Sequence, residues 1–218
     1  MEKNLAVGVY NLDSTKRPPE IKMPLMLYEY IRATPIPADV STYTEVSMKA
    51  FAKDMAGLTP ATSYSQHTFS QGDATAQVFP TEWATDEPTT VVQRAKFMRT
   101  ALRVNGQDVA IYSVHMPRVR KRRTEAFARL VADIDDLRTA GTHNEIIVCG
   151  DFNHQVGDVI KLFDGTGLQP AVRAEDPRTA ASGHLDNVFT SAKIRGVRRW
   201  EDSHFTHVPL AADVSIEK

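Results

Sequence analysis

The sequence predicts an α+β protein in which strands outnumber helices. Three observations carry that reading. About nine short runs are rich in β-branched, aromatic and aliphatic residues, against three or four segments with helical periodicity. The pair Asn105–Gly106 separates two of these runs, Lys96–Val104 and Gln107–His115, and Asn-Gly is the preferred two-residue hairpin turn. The run Ile146–Ile147–Val148–Cys149 is continuously apolar, as in a strand buried on both faces, and stops abruptly in Gly150-Asp151-Phe152-Asn153.

Leu5–Tyr10 is β-rich and ends at Asn11; a loop with Pro18 and Pro19 follows. Pro24 suits the first position of a helix that carries Leu27, Tyr30 and Ile31 on one face, and Pro35 and Pro37 end it. Val40–Val46 alternates as a strand whose late residue is Glu45. Lys49–Leu58 reads as a second helix, closed by Gly57 and Pro60. Residues 61–90 are polar and weakly patterned, with Ala76–Phe79 as a strand-like run. Beyond the hairpin, Arg123–Arg138 repeats Phe127, Leu130, Val131, Ile134 and Leu137 at helical spacing, and Gly141 terminates it. The strand ending at Asp151 comes next, then a short helix near Val159–Phe163 and strands over His184–Ser191 and Val208–Ile216.

Composition bounds the answer. The 218 residues fit one domain with a substantial core, spanning 1–218. With 42% hydrophobic and 24% charged residues, disorder is not expected. The formal net charge is −1, so an anionic partner must be held by a local patch. The single cysteine, Cys149, excludes an internal disulfide framework and reads as a small core residue. No stretch is long and apolar enough to span a membrane, and the first residues run from Met1-Glu2-Lys3 into a strand without a secretory pattern, so a cytoplasmic protein is the expectation.

Several strands carry a polar residue at the end or just beyond: Asn11, Glu45, His115, Asp151 with Asn153, Asp186 and His207. These are metal-ligand, proton-carrier and phosphate-donor types. Each alone is an ordinary loop-facing polar residue; together they point to a site. Asp151 and Asn153 face the same way if the extended conformation persists through Phe152. A basic run, Arg118, Arg120, Lys121, Arg122 and Arg123, follows His115 directly. Cations where a helix starts cost about 0.3–1 kcal/mol each at exposed sites, and a phosphate ligand would offset that. Arg195, Arg198 and Arg199 with Trp200 form a second basic group, which reads as a charged surface strand or loop.

These residues resemble the endonuclease/exonuclease/phosphatase superfamily over nearly the whole chain and in its motif order. Ala6–Leu12 resembles the family's first strand ending in Asn. Ala38–Val46 is similar to the strand bearing Gln-Glu-Val, with Thr44 in place of Gln. Val109–Pro117 is similar to the Asn-Thr-His-Leu element, with Ser113 in place of Asn. Gly150-Asp-Phe-Asn153 resembles the most specific signature, and His184–Ser191 resembles the Ile-Asp-Tyr-Ile strand. Thr206-His207-Val-Pro209 resembles the closing Ser-Asp-His-x-Pro motif, but Thr206 stands where the family has Asp, keeping an oxygen and losing the charge.

The resemblance implies a four-layer α/β/β/α sandwich of two mostly antiparallel sheets. It implies a Mg²⁺-dependent phosphodiesterase (Mn²⁺ also suits the donors) with Asn11 and Glu45 at the metal. Asp151 would orient or deprotonate the attacking water. Asn153 would donate to a phosphate oxygen, and His207, paired with Asp186, would transfer a proton or stabilise the phosphate. His115 would be a further phosphate contact or general acid. With the basic run, Arg118, Arg120, Arg122 and Arg123, taken as substrate-binding, the expected substrate is nucleic acid, DNA first. Two alternatives stand beside it: a phosphatase or phosphodiesterase on a small or lipid phosphoester of the inositol phosphate type, and a catalytically weakened nucleic-acid-binding module.

Overall fold

Twelve strands and two α-helices are defined among the described residues, 3–12, 38–45, 61–70, 73–201 and 206–217 of a computed structural model. The first sheet contains β1 (Lys3–Asn11), β2 (Val40–Thr44), β3 (Thr62–Ser70), β4 (Asp73–Pro80), β11 (Lys193–Arg199) and β12 (Leu210–Ile216), in the order β11-β12-β1-β2-β4-β3. The second contains β5 (Thr90–Val92), β6 (Phe97–Val104), β7 (Gln107–His115), β8 (Glu145–Asp151), β9 (Gln169–Pro170) and β10 (Asp186–Thr190), in the order β5-β6-β7-β8-β10-β9. The helices are α1 (Arg120–Ala140) and α2 (Val156–Leu162).

Local chemistry sets the joints. Asn105 and Gly106 have φ of 55° and 80°, as a type I′ turn demands, and pair Val104 with Gln107. Gly141, at φ 62°, caps α1 and donates its N–H to Leu137 at 3.0 Å. α1 begins at Arg120, one turn earlier than its apolar pattern, because the basic residues are themselves helical.

Alternation in the central strands divides the core into two layers. Val109, Ile111, Ile147 and Cys149 face the first sheet and pack with Leu5, Val7, Val9, Leu210 and Ala212. Ala110, Tyr112, Val114, Ile146 and Val148 face the other way, onto Phe127, Leu130 and Ile134 of α1 and Val156 and Val159 of α2. Ile146–Cys149 is therefore buried on both faces, as its apolar run predicts. Leu130 is fully buried, so truncation to Ala costs about 2–5 kcal/mol. Cys149 is a core residue: its Sγ is 3.1 Å from Thr42 Oγ1, and burial, against that bond, pushes the thiol up to about 12. The architecture is an α+β sandwich with a helical layer on the second sheet. The helices expected over Pro24–Ile31 and Lys49–Leu58 lie outside the described residues. No described helix is long and apolar enough to cross a membrane.

Two pairings position the site. β1–β2 and β7–β8 are parallel, whereas the other pairings are antiparallel. Parallel neighbours end at the same rim, so Asn11 and Thr44 align in one sheet and His115 and Asp151 in the other. β10, antiparallel to β8, starts at that rim with Asp186 opposite Asp151.

Candidate active site

Asp151 is the hub. It is fully buried at the end of β8, flanked in register by His115 and Asp186. Asn11 Nδ2, from the facing sheet, donates to its Oδ2 at 3.0 Å, and the Asn153 backbone N–H donates to its Oδ1 at 2.7 Å. His115 Nε2 lies 3.9 Å from Asp151 Oδ2 and 3.4 Å from Glu45 Oε1. His207, which precedes β12, is held by a bridge to Ala180, and its Nδ1 meets Asp186 Oδ2 at 2.6 Å. The first sheet thus supplies Asn11, Glu45 and His207, and the second His115, Asp151 and Asp186.

The turn after β8 differs from the extended expectation. Asn153 adopts φ 46°, so it meets Asp151 by folding back rather than by strand alternation. One of its amide hydrogens goes to the Met116 carbonyl at 2.8 Å. Gly150 is required: at φ 136° a Cβ there would meet the Val114 carbonyl oxygen at 2.1 Å. Glu45 is also left-handed, at φ 56°, which ends β2 one residue short of the carboxylate and turns the chain at the site. Non-glycine residues held in this region cost about 1–3 kcal/mol and cluster at functional positions.

Burial and pairing set the charges. Burial raises the Asp186 carboxyl to about 7, against the bond and charge of His207, which lower it. Burial disfavours the His207 imidazolium, but the bond to Asp186 and the charges of Asp186, Asp151 and Glu45 outweigh it and raise the ring to about 9. The two groups titrate as a coupled pair, and their 2.6 Å bond favours carboxylate facing imidazolium. With Nδ1 engaged, Nε2 is the ring atom His207 can present to a substrate.

The donor set fits a divalent cation. Glu45, His115 and Asp151 offer ligand atoms that all lie within 4.8 Å of one another, and so do Asp151, Asp186 and His207. Asp186 Oδ1 is buried without a hydrogen-bond partner among the described residues. Oxygen-rich donors of this kind suit hard cations such as Mg²⁺ or Mn²⁺. Asn11, the other expected metal residue, reaches the cluster through Asp151.

The basic run divides. Arg118, largely exposed, gives Glu45 Oε1 a 3.0 Å ion pair, and with Arg122 it lines a cleft of about 600 Å³ that His115 also lines. Arg120 and Arg123 line a separate cleft with His154, Asp158 and Lys161. There Asp158 lies 3.8 Å from Lys161 and 3.6 Å from His154, whose pKa burial lowers. The Arg195–Arg199 group lies on edge strand β11, where Arg198 pairs with Asp213 and Arg199 with Glu201. Three site residues escape sequence reasoning. Thr179 Oγ1 accepts the Asp186 N–H at 3.1 Å and lies in a polar loop without pattern. Arg94 and Lys96 join the cleft beside His115, with only their charge as a signal. Thr206 is exposed and brings no carboxylate.

No protein-family model matches the sequence, and no curated protein matches it. Solved structures do. An endonuclease/exonuclease/phosphatase protein from Bacteroides vulgatus has a TM-score of 0.79 at 12% identity, covering 99% of this chain and 100% of its own. The human Nocturnin catalytic domain with bound sulfate has a TM-score of 0.77 at 18% identity, covering 96% and 93%. D. rerio TDP2 complexed with single-strand DNA product has a TM-score of 0.75 at 11% identity, covering 96% and 98%. Two facing six-stranded sheets that superpose on these structures nearly end to end give the chain the endonuclease/exonuclease/phosphatase fold.

Proposed function

We propose that this chain is a Mg²⁺-dependent phosphodiesterase that hydrolyses DNA, in keeping with the family its motifs resemble. The observation that carries the reading is the convergence of Glu45, His115, Asp151 and the Asp186–His207 pair on one rim, beside a cation-lined cleft. The fold it shares with TDP2, seen in complex with single-strand DNA product, supports a nucleic acid substrate.

A phosphodiester is anionic and slow to hydrolyse, so the site must screen charge, present water in line and stabilise the leaving oxygen. Bound Mg²⁺, held by Glu45 and Asp151 with Asn11 alongside, would screen the phosphate and polarise its oxygens. Asp151 is a catalytic residue: its carboxylate, fixed by Asn11 and the Asn153 N–H, orients the water and takes its proton. His207, kept as imidazolium, donates from Nε2 to a phosphate or leaving oxygen. Asp186 acts through His207 and is a positioning residue. The second amide hydrogen of Asn153, and His115, contact the phosphate.

The test is a panel of plasmid DNA, single-stranded DNA, RNA, an abasic duplex and inositol phosphates, with Mg²⁺, Mn²⁺ or chelator. Metal-dependent DNA cleavage is expected, lowered about a hundredfold or more by Glu45→Gln or Asp151→Asn. Full cleavage by both variants sinks the site assignment. Selective hydrolysis of inositol phosphates replaces the DNA reading with the small-phosphoester one. DNA binding without turnover of any substrate replaces it with a binding module.

A further inference from the structure

The cleft beside His115 is built from parts that are far apart in sequence. Arg94 and Lys96 come from the connection between β5 and β6, Arg118 and Arg122 from the segment entering α1, and Phe69 from the end of β3. Its charged lining is three arginines and a lysine, set against Glu125 and the Glu45 carboxylate that pairs with Arg118, in a chain whose formal net charge is −1. Such a local excess binds anions that the whole molecule would not attract.

The cleft is held in place from both sides. The Lys96 carbonyl accepts the backbone N–H of His115 at 3.1 Å, and Lys96 adopts the left-handed conformation, φ 53°, to do so. A lysine held there is strained, and strain of this kind persists where the surroundings impose it. Across the cleft, Gln93 Nε2 donates to the Phe69 carbonyl and Gln93 Oε1 meets His67 Nε2, both at 2.5 Å. Gln93 thereby ties the edge of the first sheet to the turn that carries Arg94. The backbone that carries Arg94 and Lys96 is thereby fixed relative to His115. The volume, about 600 Å³, exceeds what a lone phosphate requires and lies in the range of small-molecule sites.

We infer that this cleft binds the phosphodiester next to the one cleaved, on a single nucleic acid strand, with Arg94, Lys96 and Arg122 as its binding residues. The inference rests on the phosphodiesterase reading for the place of the scissile phosphate. Its chemistry is that of a second phosphate: cations from two segments converge on a cleft that His115, a phosphate contact of the proposed site, also lines. Phe69, largely buried, forms an apolar wall of the cleft. The consequence is specificity. A substrate with one phosphodiester and no neighbour fills the catalytic rim and leaves the cleft unused.

The test separates binding from turnover. Binding of a labelled single-stranded oligonucleotide is measured by fluorescence anisotropy in chelator across a salt series, for the wild type, Arg94→Ala/Arg122→Ala and Lys96→Gln, with melting curves to confirm folding. The double variant is expected to bind about tenfold or more weakly, with the slope of log affinity against log salt reduced by about 1–2. Lys96→Gln is expected to lower the slope by about 1. Undiminished affinity and slope in a folded double variant overturn the inference, whether or not the wild type cleaves anything. With Mg²⁺ present, the double variant should lose at least about tenfold more kcat/KM on the oligonucleotide than on bis(p-nitrophenyl) phosphate. An equal loss on both substrates overturns the subsite. A wild type that binds the oligonucleotide through these residues yet cleaves neither substrate leaves the cleft standing and removes the phosphodiesterase reading.

Discussion

Asp186→Asn tests the electrostatic core of the site. Asp186 Oδ2 and His207 Nδ1 are 2.6 Å apart, and this bond and its charge are what hold His207 near 9 against its burial. An amide keeps the shape and removes the charge. The ring should then titrate near its ordinary 6.5, since burial still opposes the imidazolium while Asp151 and Glu45 still favour it. The change corresponds to about 3 kcal/mol in the balance between the two protonation states. At pH 8 the imidazolium fraction drops from about nine-tenths to about three-hundredths. The assay is the pH dependence of histidine Cε1–H shifts by NMR in metal-free protein, with the other six of the seven histidines as controls. If His207 acts as a proton donor, turnover at pH 8 falls about thirtyfold and recovers as the pH is lowered toward 6. A ring that still titrates near 9 in the variant refutes the pairing argument. An activity loss of equal size at every pH refutes the role assigned to the proton.

Four further outcomes follow from the geometry. Gly150→Ala places a Cβ 2.1 Å from the Val114 carbonyl at φ 136°, so the melting temperature should fall by the equivalent of about 3 kcal/mol or more; a change under about 1 kcal/mol contradicts the close approach. Arg118→Met removes a guanidinium that competes for Glu45; the Arg118 side chain is 70% exposed, so the ion pair is screened and Mn²⁺ affinity, read by EPR, should rise only about two- to fivefold, whereas weaker binding would show Arg118 to support the metal site. Both His207 and Asp186 have folded pKa values above their ordinary ones, so the stability His207 contributes is complete below 6.5 and lost as the pH rises through about 9. His207→Gln should therefore flatten that limb in metal-free denaturant titrations, and an unchanged limb rules out His207 as its source. Thr206→Asp adds a charge at an exposed position while the partner of the His207 ring is already the buried Asp186, so Mg²⁺ affinity by calorimetry should change less than about threefold; a tenfold tightening would show that the missing acid weakens this site.

What the sequence made legible follows from which forces act locally. The hairpin at Asn105–Gly106 and the buried run into Asp151 are visible because turn conformation and two-sided burial each leave a residue-level trace. α1 shows its apolar stripe, yet its first turn is hidden, because Arg120–Arg123 carry no apolar periodicity. β3 is unreadable for a related reason: at the sheet edge Thr62–Thr68 is exposed or half-buried and Phe69 alone among its described side chains is buried, so the strand needs no continuous apolar face. The polar residues at strand ends were identifiable as a set. Beyond the Asp186–His207 pairing that the family resemblance implies, their contacts were not, since which ends meet depends on the two parallel pairings, β1–β2 and β7–β8, and on the sheets packing face to face.

The same topology explains why the basic run reads as one cluster and functions as two. Arg118 and Arg122 are four apart and line the cleft beside His115, whereas Arg120 and Arg123 are three apart and line the cleft toward α2. The first pair joins Arg94 and Lys96 across a gap in sequence; the second meets Asp158, which lies 3.8 Å from Lys161. Charge density along the chain is therefore a poor guide to where a polyanion binds. What distinguishes the two clefts is their place: His115 of the site lines the first, whereas the second opens toward α2. In the cleft beside His115 the cations lie next to a group that handles protons, so a substrate drawn by charge arrives where the chemistry is.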